Sequence, residues 1–329
     1  MGRTDPPSAT NQLLDLYRAM RLVRESEERL GNLFADGEIP GFIHLSIGQE
    51  AVSVGVTAAL EQHDTLASNH RGHGHAIAKG LDLDRFFLEI LGKQDGYCHG
   101  RGGSMHVADM TVGMLGANGI VGAGLPIAVG SALAHKLRRT GHIAVVFFGD
   151  GAMAEGVLHE SLNLAQLWML PVLFVCENNG WSEFTEAARQ LATDPLRMAA
   201  AYSMRSLKVD GNDVIAVAAA ARMAVAQIRA GEGPCMLECE TKRVRGHFEG
   251  DPQKYRDAGD IETATRNDPL IRCEARLITA GASQAAIDAI KAEIKVRVDA
   301  AVAIARAGTP PTPVDALADV FSPIRELPS

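Results

Sequence analysis

The chain has no apolar run of the roughly 18 residues a membrane helix needs, so no membrane partner is expected. It has little cysteine. Cys98, Cys176, Cys235, Cys239 and Cys273 are scattered without a Cys-x-x-Cys pair, which excludes a disulfide scaffold or a zinc ribbon and predicts small buried hydrophobes. A basic surplus is missing too. Net charge is −8, which argues against a nucleic-acid partner. The first ten residues are polar and lack the apolar core of a secretory signal. Asp5 and the scarcity of early arginine also weaken a mitochondrial transit reading, so a cytoplasmic protein is expected. Internal repeats and low-complexity linkers are absent. What is present is hydrophobic substance, 47% of 329 residues, ample for a large core.

Periodicity predicts a helix over Leu13–Asp36, a second over Glu50–Glu61 and a third over Asp82–Leu91. Residues 92–124 are dense in glycine, and so long an irregular stretch inside a compact domain is usually functional. An α/β rhythm follows. Helices are expected over Leu125–Leu137, Glu155–Leu167 and Val214–Ala230, and continuous apolar runs, as buried parallel strands require, over His142–Phe148, Pro171–Cys176 and Cys235–Glu240. Further helices are expected over Ile271–Arg306. The predicted architecture is α/β, a parallel sheet covered by helices on both faces. It forms one domain over 1–329, with a flexible arm over 1–10 and a helical C-terminal extension from about 270 to 329.

Gly149-Asp150-Gly151-Ala152 ends one predicted strand and Glu177-Asn178-Asn179-Gly180 ends the next, one helix and one strand later. Both motifs therefore reach the carboxyl edge of the sheet, where open α/β folds bind ligands. Glycines let backbone N–H groups approach a phosphate, and a following helix points its positive end there. Asp150 would repel a diphosphate unless a cation bridged the two, and Mg²⁺ suits a carboxylate, an amide carbonyl from Asn179 and a main-chain carbonyl near Trp181. The same residues 149–154 also satisfy a dinucleotide fingerprint, with Glu177 as the ribose acid. The charge of Asp150 and the idle Asn178-Asn179 pair favour metal plus diphosphate.

GDG, a helix and a strand, then NN resembles the signature of thiamine-diphosphate enzymes. Six segments in order resemble the α subunits of the two-chain 2-oxo acid dehydrogenases: GFIHLSIGQEA (41–51), GRGGSMH (100–106), GANGIVGAG (116–124), GDGAMAEG (149–156), ENNGW (177–181) and RGHFEGDP (245–252). Within that family, residues 71–80, 112–124 and 246–256 look most similar to acetoin dehydrogenase. The resemblance implies a thiamine-diphosphate-binding fold with thiamine diphosphate and Mg²⁺ as cofactors. It implies Asp150, Asn179 and the Trp181 carbonyl as metal ligands, and Gly151 and Ala152 as diphosphate-holding backbone. Arg71 would pair with phosphate, with His70 where the family often has tyrosine. Gly119 and Val121 would meet the aminopyrimidine, and His44 and His247 would be the active-site histidines, the latter on a mobile loop. Phe248 stands where eukaryotic relatives carry a regulatory serine, and Trp181-Ser182 departs from the usual aromatic-glycine or aromatic-alanine pair.

The activity so implied is cleavage of acetoin or decarboxylation of a 2-oxo acid such as pyruvate, with the acyl unit passed to a lipoyl group. The partners implied are a β subunit supplying the carboxylate that activates the pyrimidine, in an assembly of two α and two β chains, and a lipoyl-bearing acyltransferase core. The alternatives are a carboligase or decarboxylase without a lipoyl acceptor, a nicotinamide oxidoreductase, and a non-catalytic scaffold, against which Asp150, Asn179, Arg71 and His247 speak. His70, His73 and His75 invite a zinc reading with Cys98 and His99. Their spacing on a glycine-rich loop does not match it, and imidazoles lining a diphosphate funnel are expected instead. His106 reads as structural or catalytic. Residues 243–255, with Arg243, Arg245 and His247 between glycines, are expected to be a loop whose cationic groups lack partners until cofactor binds.

Overall fold

Three apolar strands, β3 (Ala144–Gly149), β4 (Val172–Asn178) and β8 (Cys235–Glu240), form the centre of the sheet in the computed structural model, which describes residues 9–318. They lie where the apolar runs predict them. Three more strands extend the sheet: β1 (Thr65–Ala67), β2 (Met114–Gly116) and β7 (Arg205–Asp210). The order is β2-β1-β3-β4-β8-β7 and every pairing is parallel. A small antiparallel hairpin, β5 (Trp181–Ser182) with β6 (Thr185–Glu186), stands apart. The three added strands escape sequence patterning for physical reasons. β1 and β2 are too short to show a period, and β7 is an edge strand with no fully buried residue, half-buried over Arg205–Leu207.

Strand alternation divides the core into two layers. Val145, Phe147, Leu173, Val175, Leu237 and Cys239 face one cluster, whereas Val146, Phe148, Phe174, Cys176 and Met236 face the other. The first layer is covered by α1 (Ala9–Ala35), α2 (Glu50–Thr57), α3 (His73–Lys79), α4 (Leu83–Ile90), α8 (Val214–Arg229), α10 (Pro269–Thr279) and α11 (Gln284–Ala307). The second is covered by α5 (Gly124–Arg138), α6 (Gly156–Leu167) and α7 (Pro195–Ala201). α9 (Ala258–Arg266) and α12 (Pro313–Ala318) complete the described helices.

The helices described beyond residue 268 are α10, α11 and α12, and α10 and α11 contribute to the core. Ile287, Ile290, Ile294, Val298 and Val302 of α11 belong to the first core cluster and pack against α1 and α4. Their apolar stripe had no other surface on which to be buried. His73 and His75 lie on α3, not on a loop; this short helix follows Gly72, and Gly80 closes it in the left-handed conformation. α1 begins at Ala9, so the arm expected over 1–10 is partly helical; residues 1–8, and 319–329 of the expected extension, lie outside the described residues.

A buried ion network joins these helices. Arg24 of α1 donates to Glu50 of α2 at 2.5 Å and to Asp268, the N-cap of α10, at 2.9 Å, with all three side chains nearly inaccessible. Close helix packing has a glycine at its centre. A Cβ on Gly55 of α2 would stand 2.7 Å from Val217 Cγ1 and 3.1 Å from the backbone nitrogen of Ala218 on α8. Replacing a mid-helix glycine by alanine ordinarily gains roughly 0.5–1 kcal/mol. Overpacking a close crossing costs about 1–3 kcal/mol and should outweigh that gain. Gly55→Ala is therefore expected to lower the urea midpoint with an unchanged m-value; a raised midpoint would refute the close crossing as described.

Candidate active site

The carboxyl ends of β1, β3, β4 and β8 open on one cavity of about 220 Å³. After β1 the chain passes Ser68, Asn69, His70 and Arg71. β3 delivers Asp150, Gly151 and Ala152 in a 3-10 turn, and β4 delivers Glu177 and Asn179. Register explains the convergence. Gly149 pairs with Glu177, and Asn178 pairs with Glu240, so the three strand ends stand side by side. All eleven residues singled out from the sequence line this cavity: His44, His70, Arg71, Gly119, Val121, Asp150, Gly151, Ala152, Asn179, Trp181 and His247.

Its charges are uncompensated. Asp150 is 2% exposed, and neither carboxylate oxygen has a hydrogen-bond partner. Burial pushes its pKa up to about 6. Arg243 opposes the shift, and the nearby backbone N–H groups of Asp150, Gly180 and Gly151 oppose it without reaching hydrogen-bonding geometry. Arg71 is equally buried, and among the described residues its guanidinium meets no carboxylate. It donates to the carbonyls of Leu45 at 2.6 Å and His247 at 3.0 Å, and burial together with Arg243 lowers its pKa. Arg243 donates to His247 Nδ1 at 3.1 Å, to the Glu183 carbonyl at 3.2 Å and to the Tyr255 hydroxyl, again without an ion pair. A buried anion lacking a cation and two buried cations lacking an anion, in one cavity, are complementary to a metal-bound anion rather than to either ion alone.

The donors match a hard divalent ion. Asn179 donates through Nδ2 to Gln49 Oε1 at 3.2 Å, which turns its carbonyl oxygen away from Gln49, and that oxygen takes the Trp181 N–H at 3.1 Å with a lone pair to spare. Carboxylate and amide oxygens are magnesium or calcium ligands. Above them, His44, His70 and His247 bring ring nitrogens within 4.8 Å of one another. Burial lowers all three pKa values, to about 4, about 2 and about 3, with Arg71 adding to each. The neighbouring cations make this cluster a poor place for a metal and a good one for an anion or a neutral polar group.

His73 and His75 are not in the lining. His73 is held between Glu27, 2.9 Å from Nδ1, and Ser104, 2.7 Å from Nε2. His75 is held between Ser68 at 2.7 Å and Glu177 at 3.2 Å, with its ring stacked 3.9 Å from that of Phe147. Both nitrogens of each are engaged, so neither lines the expected funnel nor joins a zinc site. His106 is exposed and bonds the Gly102 carbonyl. Residues 243–255 are irregular and internally bonded, although the Arg243 guanidinium meets no carboxylate among the described residues. Asp251 accepts from the His247 N–H and the Tyr255 hydroxyl, both at 2.7 Å, and Arg256 donates to the Arg243 carbonyl at 3.0 Å. Arg245 lies 3.7 Å from Glu249, a partner that the expectation overlooked.

Several contributors were missed by sequence reasoning. Glu89 of α4, fully buried, accepts the N–H groups of Cys98, Gly100, Gly102 and Gly103 at 2.7–2.9 Å. One carboxylate thus closes the glycine-dense loop that brings Met105 to the cavity. Glu89 and Glu177 share a legible signal, an acid in or at the end of an apolar stretch that must find a partner when buried, whereas Glu27 sits among charged residues. The partner itself was not legible.

The chain matches the dehydrogenase E1 component family over residues 18–314. It is 46% identical over 318 residues to the acetoin:2,6-dichlorophenolindophenol oxidoreductase α subunit of Cupriavidus necator, covering 96% of both chains. It is 52% identical over 242 residues to the protein of that name from Bacillus subtilis, covering 73% of each. To the pyruvate dehydrogenase E1 component α subunit of Zymomonas mobilis it is 41% identical over 307 residues, covering 92% of this chain and 86% of the relative.

The histidine cluster sets a pH dependence. His44, His70 and His247 stay neutral in the fold well below the usual histidine pKa, whereas the unfolded chain takes up protons there. The unfolded state therefore binds more protons below about pH 6.5, and stability falls as pH drops from there toward 4. His70→Gln, neutral at every pH, is expected to make that fall shallower in the cofactor-free chain, by urea unfolding between pH 4.5 and 7. An unchanged slope would contradict the neutral cluster.

Proposed function

The chain belongs to the dehydrogenase E1 component family, and from that premise we propose that it is the α subunit of a thiamine-diphosphate- and Mg²⁺-dependent dehydrogenase that cleaves acetoin or decarboxylates a 2-oxo acid such as pyruvate. The acyl unit passes to a lipoyl group on an acyltransferase core. The acetoin reading is supported by full-length likeness to the Cupriavidus necator subunit. The observation that carries the cofactor assignment is Asp150, a buried carboxylate with no partner, facing a cavity that holds two unpaired arginines.

When bound, thiamine diphosphate supplies the carbanion chemistry that breaks a bond beside a carbonyl. The chain's own residues hold and orient. Asp150, the Asn179 amide oxygen and the Trp181 carbonyl hold the metal. Gly151 and Ala152, in the first turn of a 3-10 helix where N–H groups have no intrahelical partner, hold phosphate oxygens, and Arg71 pairs with the same group. The main chain at Gly119 and Val121 meets the aminopyrimidine. Because Arg243 donates to His247 Nδ1, that nitrogen is an acceptor and the ring proton sits on Nε2. Neutral His247 therefore offers an Nε2–H to a substrate oxygen, with His44 and His70 close beside it.

An α subunit of this family works with a β subunit, and two of each form the assembly we propose. Two features of the cavity support a shared site. Ile120 and Val121 at its rim are 72% and 45% exposed, apolar surface suited to a partner. Glu177, a buried carboxylate of the lining, is held by His75, so the acid that activates the pyrimidine is assigned to the β subunit. No described helix is long and apolar enough to cross a membrane, and a cytoplasmic location fits that reading.

Asp150→Ala removes the charge that balances the metal. Calorimetry with Mg²⁺ and thiamine diphosphate should show affinity lowered by at least roughly an order of magnitude; equal affinity would remove the metal assignment. The purified chain alone should turn over neither acetoin nor pyruvate with an artificial electron acceptor, and should do so after reconstitution with its β subunit. Turnover by the lone chain would overturn the shared site.

A further inference from the structure

Ser182 stands in the hairpin that closes the diphosphate end of the cavity, at a position where the motif departs from the glycine or alanine expected after the aromatic residue. The hairpin is firmly placed. The Trp181 N–H is folded back on Asn179 Oδ1 at 3.1 Å, Trp181 Nε1 donates to Asp260 at 3.1 Å, and the indole packs 5.2 Å from the Tyr255 ring. Successive strand residues point to opposite sides. With Trp181 turned toward Asp260 and Tyr255, Ser182 is turned toward the 3-10 turn that follows β3. There it meets Gly151 so closely that a Cβ on that glycine would stand 2.5 Å from Ser182 Oγ. The half-buried hydroxyl forms no hydrogen bond to protein among the described residues, so it has no evident task in the cofactor-free fold.

We propose that Ser182 is a binding residue for the cofactor's diphosphate, its hydroxyl donating a hydrogen bond to a phosphate oxygen lying over Gly151. The inference rests on the functional reading above. It adds a side-chain donor to a cradle otherwise made of backbone N–H groups and Arg71. A hydroxyl suits that place because it is neutral. It adds a hydrogen bond to an anion without adding charge beside a metal, and it is small enough to sit against a bare glycine backbone.

The test is calorimetric and independent of turnover. The chain reconstituted with its β subunit is titrated with Mg²⁺ plus inorganic diphosphate, and with Mg²⁺ plus thiamine diphosphate, for the wild type, Ser182→Ala and Ser182→Gly. Loss of one hydrogen bond to an anion should raise both dissociation constants about tenfold, equally for alanine and glycine. The thermal midpoint of the cofactor-free variants should stay that of the wild type. Wild-type affinity in the alanine variant overturns the inference and leaves the functional reading standing. Weakening in only one of the two variants, or weakening accompanied by a lowered cofactor-free midpoint, assigns Ser182 a steric or structural role and overturns it too. If the wild type binds neither Mg²⁺-diphosphate species, the functional reading falls and the inference falls with it.

Discussion

A carboxylate buried at the end of a β-strand without a hydrogen bond is an expensive thing for a fold to keep. Asp150 is such a group, and the arrangement around it is intelligible as the accommodation of its charge. Burial alone would drive it toward the neutral acid, and its raised pKa records that pressure. Arg71 and Arg243 carry the opposite problem, cations enclosed among backbone carbonyls and neutral imidazoles. The two problems share one solution, a divalent ion on the carboxylate side and a multiply charged anion on the arginine side. The cofactor-free fold holds this polarity open because the sheet and its helices are stabilised elsewhere, in two apolar layers that do not depend on the site.

Around that centre the fold uses buried acids as fasteners. Glu27 holds His73 and the Ser46 backbone, Glu177 holds His75, and Glu89 gathers four N–H groups of a glycine-rich loop. Glu27 and Glu89 sit behind the cavity and Glu177 in its lining, and each fixes a segment that reaches it. Such carboxylates are stable in the interior because each accepts several hydrogen bonds or faces an imidazole. They give loops without secondary structure the rigidity that placing His70, Met105 and Gly119 requires.

Much of this was legible in the chain. β3, β4 and β8 are continuous apolar runs because both faces of a central parallel strand are covered, and that pattern needs no tertiary knowledge. GDG and NN at two strand ends implied a shared edge, and their residue types implied a metal with a phosphate. β1 and β2 were not legible, being three residues each and stabilised by neighbours distant in sequence. The helical character of His73–Lys79 was obscured by its glycine and by histidines that read as ligands.

What the sequence determined by itself is the inventory: buried strands and, at their carboxyl ends, the GDG and NN residue types suited to a metal with a diphosphate. Those follow from local pattern and residue type, which are properties of the chain, whereas the other candidate residues came from the resemblance to a family. Tertiary structure decided which of the many histidines are free to act. His70 and His247 face the cavity, while His73 and His75 spend both nitrogens on Glu27, Ser104, Ser68 and Glu177. It also decided that Ser182 meets Gly151. The reason is common to both. A partner's identity depends on where segments up to about a hundred residues apart are brought together, and no spacing along the chain encodes that distance.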